Sequence, residues 1–311
     1  MSPHLLRAFY MKRKILAITF LLLFAAPFGY AQKRVANPPT KAVIFAVLNG
    51  GRTLEPIAYV IDKKLETAVD GASDEAILKA FHAKYFKPKS TYPLIFGGAK
   101  AGMVAVKSSD PKMECSTHTA EVFTTSARTK LKGNVMALAT NMAVNSPGNG
   151  VRRMPTPAER AEIEILVRAE MTKQKVPAAA IKKLKYQNLT AIDVDNDGVI
   201  ELVGSFWAEP TAKSRSLLFL IAEKEGDDAY RLGLSDFSTI EEKDTMSEDI
   251  ASVDGGVYHE LLLDLLDYDA DGTSEIFTYS PSFEGTGFNV YRREDGKWAK
   301  AFEGANYRCG Y

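Results

Sequence analysis

The sequence predicts a mainly β fold with a few helices, an α+β chain, on three observations. Apolar, β-prone runs recur between clusters of Gly, Pro, Asn and Ser. Only two stretches carry a clear helical period. In the C-terminal half one order of elements occurs twice: strand, aspartate-rich loop, strand, turn, strand, turn, strand. The expected architecture is an N-terminal α+β region followed by two four-stranded meander units.

Residues 1–31 have the pattern of a secretory signal peptide. Lys12, Arg13 and Lys14 form a basic cluster, Ile15 to Pro27 is almost unbroken apolar sequence, and Gly29-Tyr30-Ala31 offers small residues to a signal peptidase. Met11 stands just before the basic cluster, so translation starting there would omit the first ten residues. The apolar run falls short of the ~20 residues a bilayer core requires, so a cleaved signal is expected and no membrane span after it. Removing Arg7, Lys12, Arg13 and Lys14 lowers the 39 basic side chains to 35 against 39 acidic ones, a net charge of −4. That mild acidic bias excludes nucleic-acid binding by bulk charge. An apolar fraction of 46% fits a globular chain.

Residues 32–150 make up the N-terminal region. A polar lead-in (32–40) precedes β-prone runs at Ala42–Leu48, Pro56–Ile61 and Met103–Val106, with Gly-Gly pairs at 50–51 and 97–98 as turns. A helix is expected from about Ser73 to Phe86, where Ile77, Leu78, Phe81, His82 and Tyr85 recur at helical spacing. His82 on that face is read as a packing residue. Residues 145–155 collect Pro, Gly, Asn and Ser and suggest a linker.

Residues 151–311 open on a second helix. Thr156-Pro157-Ala158-Glu159 is a capping box with proline at the first helical position, and Ile163, Leu166 and Val167 share one face. Pro177 prevents simple continuation. The two repeat units then occupy about 187–234 and 257–311. Trp207, Tyr279, Phe283, Phe288 and Trp298 within them are read as core aromatics.

The chemistry lies in the loops Asp193-Val-Asp195-Asn-Asp197-Gly198-Val199-Ile-Glu201 and Asp267-Tyr-Asp269-Ala-Asp271-Gly272-Thr273-Ser-Glu275, 74 positions apart. Aspartates at positions 1, 3 and 5 of a curling backbone can point oxygens at one centre. Glycine at position 6 permits the positive-φ turn that aims the carbonyl of residue 7, Val199 or Thr273, inward. Glu201 and Glu275 at position 9 close the cage. Four carboxylates around one point repel one another without a cation. The all-oxygen donor set and its size favour calcium over magnesium, so two calcium ions are expected. Position 12 is Gly204 or Thr278 and β-prone sequence follows, which excludes an EF-hand.

These nine-residue loops between strands resemble the calcium loops of FG-GAP and VCBS-type repeats of the integrin-like β-propeller family. The resemblance covers about 187–311 and is specific at the loops. It implies ligation by the side chains at positions 1, 3, 5 and 9 and by the carbonyl at 7. Two units are fewer than a closed propeller uses, so an incomplete, propeller-like arrangement is expected. Phe96-Gly97-Gly98-Ala99 spells the tetrapeptide after which the FG-GAP family is named, but no aspartate loop follows it and it is read as a turn.

No G-x-S-x-G elbow, P-loop, dinucleotide fingerprint or H-E-x-x-H is present. Cys115 and His118 lie three residues apart, a spacing that is weak evidence for a nucleophilic pair. Cys115 and Cys309 are the two cysteines; they form either a disulfide, as an oxidising compartment favours, or two separate buried thiols. No catalytic residue is assigned. The expected role is that of a secreted or periplasmic, calcium-stabilised module that binds a protein or glycan ligand. The alternative is an exported hydrolase with its active site in residues 40–150 and the calcium domain as an accessory.

Overall fold

A computed structural model describes residues 41–144, 150–224 and 229–309. The signal peptide expected at 1–31 and the lead-in at 32–40 lie outside the described residues.

The described residues open, after Lys41, on an unbroken apolar run, and the two-residue period of a strand sends its successive side chains to opposite faces, both of them buried. Strand β1 (Ala42–Leu48) pairs antiparallel with β2 (Thr53–Ile61), which β3 (Lys64–Thr67) extends. After helix α1 (Glu75–Tyr85) come β4 (Thr91–Phe96), β5 (Ala99–Ser108), β6 (Ala120–Thr125) and β7 (Ala137–Thr140). Because β1 pairs with both β2 and β7, six strands close into an antiparallel barrel in the order β1-β7-β4-β5-β6-β2. Among the described residues the N-terminal α+β region is therefore a closed barrel with one helix. Val43, Phe45, Val47, Leu94, Val104 and Val122 share one core with Leu78, Phe81 and Tyr85 of α1. Ile44, Ala46, Leu48, Ile95 and Leu138 face the other way into a second core. Ile77, expected on the packing face of α1, is 51% exposed. The buried Leu78, Phe81, His82 and Tyr85 span about 100° of the helix, and Ile77 lies about 40° beyond the edge of that arc.

Arg152–Arg153 form β8, a two-residue strand paired with β9 (Lys185–Ile192) through Arg152↔Ile192 and Arg153↔Ala191. The linker expected at 145–155 is corrected at these positions; 145–149 lie outside the described residues. The physical reason is Arg152, whose guanidinium lies almost wholly out of solvent. Its Nη1 donates to Asp264 Oδ2 at 2.7 Å and to the carbonyls of Leu263 (2.6 Å) and Met136 (3.0 Å), and Phe96 lies beneath it.

Helix α2 (Pro157–Lys173) starts at the expected capping box: Glu159 N–H donates to Thr156 Oγ1 at 3.2 Å, and Thr156 N–H donates to Glu159 Oε2 at 2.7 Å. A short α3 (Ala178–Ile181) leads into β9, followed by β10 (Glu201–Thr211), β11 (Ser214–Lys224) and β12 (Tyr230–Glu241). After α4 (Ala251–Asp254), strands β13 (Leu261–Leu266), β14 (Glu275–Pro281), β15 (Gly285–Glu294) and β16 (Lys297–Tyr307) form a four-stranded meander in sequence order. The first repeat is a meander of the same kind with β8 added at its edge.

The second meander lies between its neighbours. Leu261, Leu263, Phe277 and Phe288 pack on the outer face of the barrel, whereas Leu262, Leu265, Ile276 and Tyr291 pack on Val203, Phe219 and Ile221 of the first meander. The far face of the first meander (Leu202, Phe206, Leu218, Leu220) is covered by Ile163, Val167 and Met171 of α2. Burial on both faces explains why β11 and β13 read as continuous apolar runs and not as alternating ones. Trp207, Phe288 and Trp298 are buried, and Tyr279 and Phe283 half-buried. Among the described residues no helix is long and apolar enough to cross a membrane.

Candidate metal centres

Each aspartate loop joins the first two strands of its meander, β9 to β10 and β13 to β14. The backbones of the two loops curl alike. Position 6 is left-handed in both, with φ +86° at Gly198 and +97° at Gly272, and so is position 4, with φ 60° at Asn196 and 59° at Ala270. A Cβ on either glycine would touch nothing within 4 Å, so glycine is needed there for its φ alone.

This curl gathers the carboxylates. In each loop the three aspartates, 193, 195 and 197 or 267, 269 and 271, each offer an oxygen within 4.8 Å of the other two. Ligands on opposite sides of an ion bound at 2.3–2.6 Å stand about 4.6–5.2 Å apart, so both trios could hold a metal ion and are compatible with calcium. Backbone donors hold the aspartates in place. Gly198 N–H donates to Asp193 Oδ2 and Gly272 N–H to Asp267 Oδ2, both at 3.1 Å. Val199 N–H donates to Asp197 Oδ1 at 2.6 Å and Thr273 N–H to Asp271 Oδ1 at 2.8 Å.

Glu201 and Glu275 stand beside these trios and not within them. Each gives one oxygen to the backbone N–H at position 2: Val194 to Glu201 Oε2 at 2.9 Å, Tyr268 to Glu275 Oε2 at 3.3 Å. Burial, then the neighbouring aspartates, push both glutamates up to about 8 against the pull of those N–H groups. Asp195 and Asp269 are raised for the same two reasons, burial first. The clusters carry more negative charge than their surroundings compensate, a deficit that a divalent cation would remove.

Two arginines border the loops, and no short motif in the sequence marked them. Arg293 on β15 places Nη1 3.1 Å from Asp195 Oδ2, and its Nη2 donates to the buried Glu223, which also accepts from Trp298 Nε1 at 3.2 Å. The adjacent Arg292 has Nη1 3.8 Å from Asp269 Oδ2. Consecutive residues of one strand thus touch the position-3 aspartates of different loops.

Cys115 and Cys309 form a disulfide with Sγ–Sγ 2.06 Å. Cys115 therefore has no thiolate to offer, and His118 turns away to a different centre, also without a sequence signature. The fully buried Glu55 Oε1 accepts from Thr286 Oγ1 and Asn306 Nδ2 and contacts His118 Nε2, each at 3.0 Å. Its other oxygen pairs with Arg308. Burial pushes the Glu55 carboxyl up, but His118 and the Arg308 charge outweigh it and hold the group at about 2. His82 is buried as expected of a packing residue, bonded to Ser109 Oγ at 2.9 Å and Thr117 O at 2.7 Å.

No protein-family model, curated protein or solved structure matches this chain.

Proposed function

We propose that this is an exported calcium-binding β-repeat protein, a non-enzymatic binding module whose two calcium ions act as structural stabilisers. The observation that carries this reading is the convergence of three aspartates in each of two loops of matching curl at equivalent places in two meanders. The donors are hard oxygens, and three or more carboxylates per ion suit calcium better than magnesium, which retains more of its water. Val199 and Thr273 would add carbonyl oxygens, and Glu201 and Glu275 would each turn a carboxylate oxygen inward. The kinship to FG-GAP and VCBS-type repeats is part of the same proposal. It is supported by the strand–loop–strand setting of both loops and by the face-to-face stacking of the sheets, as in an incomplete propeller. Export is supported by the disulfide and by the basic, apolar and small-residue pattern of residues 1–31. The ligand class is protein or glycan.

Equilibrium dialysis against millimolar calcium tests the metal reading. Two ions per chain are expected, and one after Asp195→Asn with Asp197→Asn. A stoichiometry of zero in the unsubstituted protein would overturn it.

A further inference from the structure

Among the described residues the first meander has an open edge: strand β8 covers Ala191 and Ile192 only, and no described strand pairs with β9 on that side from Tyr186 to Thr190. An uncovered edge turns alternate N–H and C=O groups outward, ready to pair with another strand. Among the described residues one side chain bonds to the backbone of this stretch, Asn134 Nδ2 donating to Gln187 O at a long 3.5 Å, while Arg160 Nη2 donates to the Tyr186 hydroxyl at 2.6 Å.

A cavity of about 410 Å³ lies along that edge, between β9 and the barrel's Phe96 and Val135. Three of its lining side chains are unusually exposed for apolar residues, Met154 at 69%, Tyr186 at 41% and Val135 at 38%. Exposed apolar groups gathered at one groove mark a binding surface more than isolated ones do. A second cavity of about 470 Å³ adjoins the first, sharing Phe96, Thr129 and Arg152. Lys100 and Arg128 line it, neither forms a salt bridge among the described residues, and no acidic side chain lines either cavity. Arg152 is already neutralised by Asp264, so Lys100 and Arg128 supply the uncompensated charge.

We propose that this groove binds an extended acidic peptide segment of a partner protein, added as a strand to the open edge of β9 with its carboxylates at Lys100 and Arg128. Main-chain pairing supplies affinity in such strand addition, and side-chain pockets at alternate positions supply selectivity. Val135, Met154 and Tyr186 offer those pockets to apolar residues. The inference rests on the binding-module reading and is independent of the metal.

The test uses the full chain after signal removal and two fluorescein-labelled hexapeptides, Val-Glu-Val-Glu-Val-Asp and Val-Lys-Val-Lys-Val-Lys, in calcium and in EGTA. Fluorescence anisotropy is expected to show the acidic peptide binding at least about tenfold more tightly than the basic one, a difference of ~1.4 kcal/mol. Lys100→Glu with Arg128→Glu, both at the surface, should weaken the acidic peptide by a similar factor and leave the unfolding temperature unchanged. Hydrogen exchange should slow at Tyr186–Thr190 when the acidic peptide binds. No binding up to about 1 mM, equal affinity for both peptides, or protection elsewhere would overturn the proposal. Concentration-dependent dimerisation that protects the same amides would also overturn it, assigning the edge to a second copy. Peptide binding without any calcium response sinks the metal reading alone, and the reverse result sinks this proposal alone.

Discussion

Arg293 joins the two repeats by placing Nη1 3.1 Å from Asp195 Oδ2, a strand of the second meander touching the loop of the first. Arg293 also donates to Glu223, which is 3% exposed and pairs with Arg231, and it lies over the Trp298 ring. Without a metal, Arg293 is the cation nearest Asp195. Arg293→Gln is expected to destabilise the protein in EGTA by about 1–3 kcal/mol, because Asp195 and the nearly buried Glu223 both lose a charged partner. With calcium bound the loss should be smaller, since the ion supplies the charge that Asp195 lacks. Urea unfolding of both proteins in EGTA and in calcium measures this; an equal loss in both conditions would separate Arg293 from the site.

Ala270 occupies the left-handed region at φ 59°, where its counterpart in the first loop is Asn196. A Cβ there costs roughly 1–2 kcal/mol, and asparagine bears this conformation better than alanine does. Ala270 is exposed, so Ala270→Asn removes no packing. The variant is expected to be more stable by about 0.5–1 kcal/mol, read from the denaturation midpoint at unchanged slope.

Glu55 makes the stability of the stack depend on acid. Its carboxyl titrates at about 2 in the fold against an ordinary value of 4.5. The unfolded chain therefore takes up the proton first. The Glu55 contribution is complete above about pH 4.5 and disappears as the pH falls to about 2. Glu55→Gln should cost about 3 kcal/mol or more at pH 7, since Arg308 then lacks its counter-charge. The gap between variant and parent should close progressively below pH 4.5. A gap independent of pH would contradict the assignment.

The disulfide ties residues 194 apart, and beside it Arg308 is held on Glu55. Closing so long a loop restricts the unfolded chain by up to about 5 kcal/mol in the chain-entropy account. Cys115→Ser with Cys309→Ser is expected to lose about 2–5 kcal/mol, measured by guanidinium unfolding. Calcium binding should persist if the fold does, since neither cysteine belongs to an aspartate loop.

The aspartate loops were legible because their chemistry is local: nine consecutive residues contain the four carboxylates and the glycine, and β-prone sequence flanks them directly. The capping box of α2 was legible for the same reason. Barrel closure was not, because Ile44↔Thr140 and Leu54↔Ala120 join residues far apart in sequence, and such pairings leave no local signature. Arg152 stood in a stretch rich in Gly and Pro, so composition indicated a linker where one buried guanidinium joins the barrel to both meanders. Arg293 and Glu55 belong to no short motif; the stacking of sheets gives them their partners.

The central claim, that the paired loops hold calcium and thereby stabilise the stacked sheets, is tested most directly by thermal unfolding in EGTA and in rising calcium. Binding to the native state should raise stability as RT ln(1 + [L]/Kd), about 2.7 kcal/mol at a hundredfold excess over Kd. Modules outside the cell often bind at about 10⁻⁴–10⁻³ M, so the series must extend well into the millimolar range. The predicted result is a rising unfolding temperature that is abolished by Asp195→Ala with Asp269→Ala. No rise in the parent, or an equal rise in the double variant, would contradict the claim.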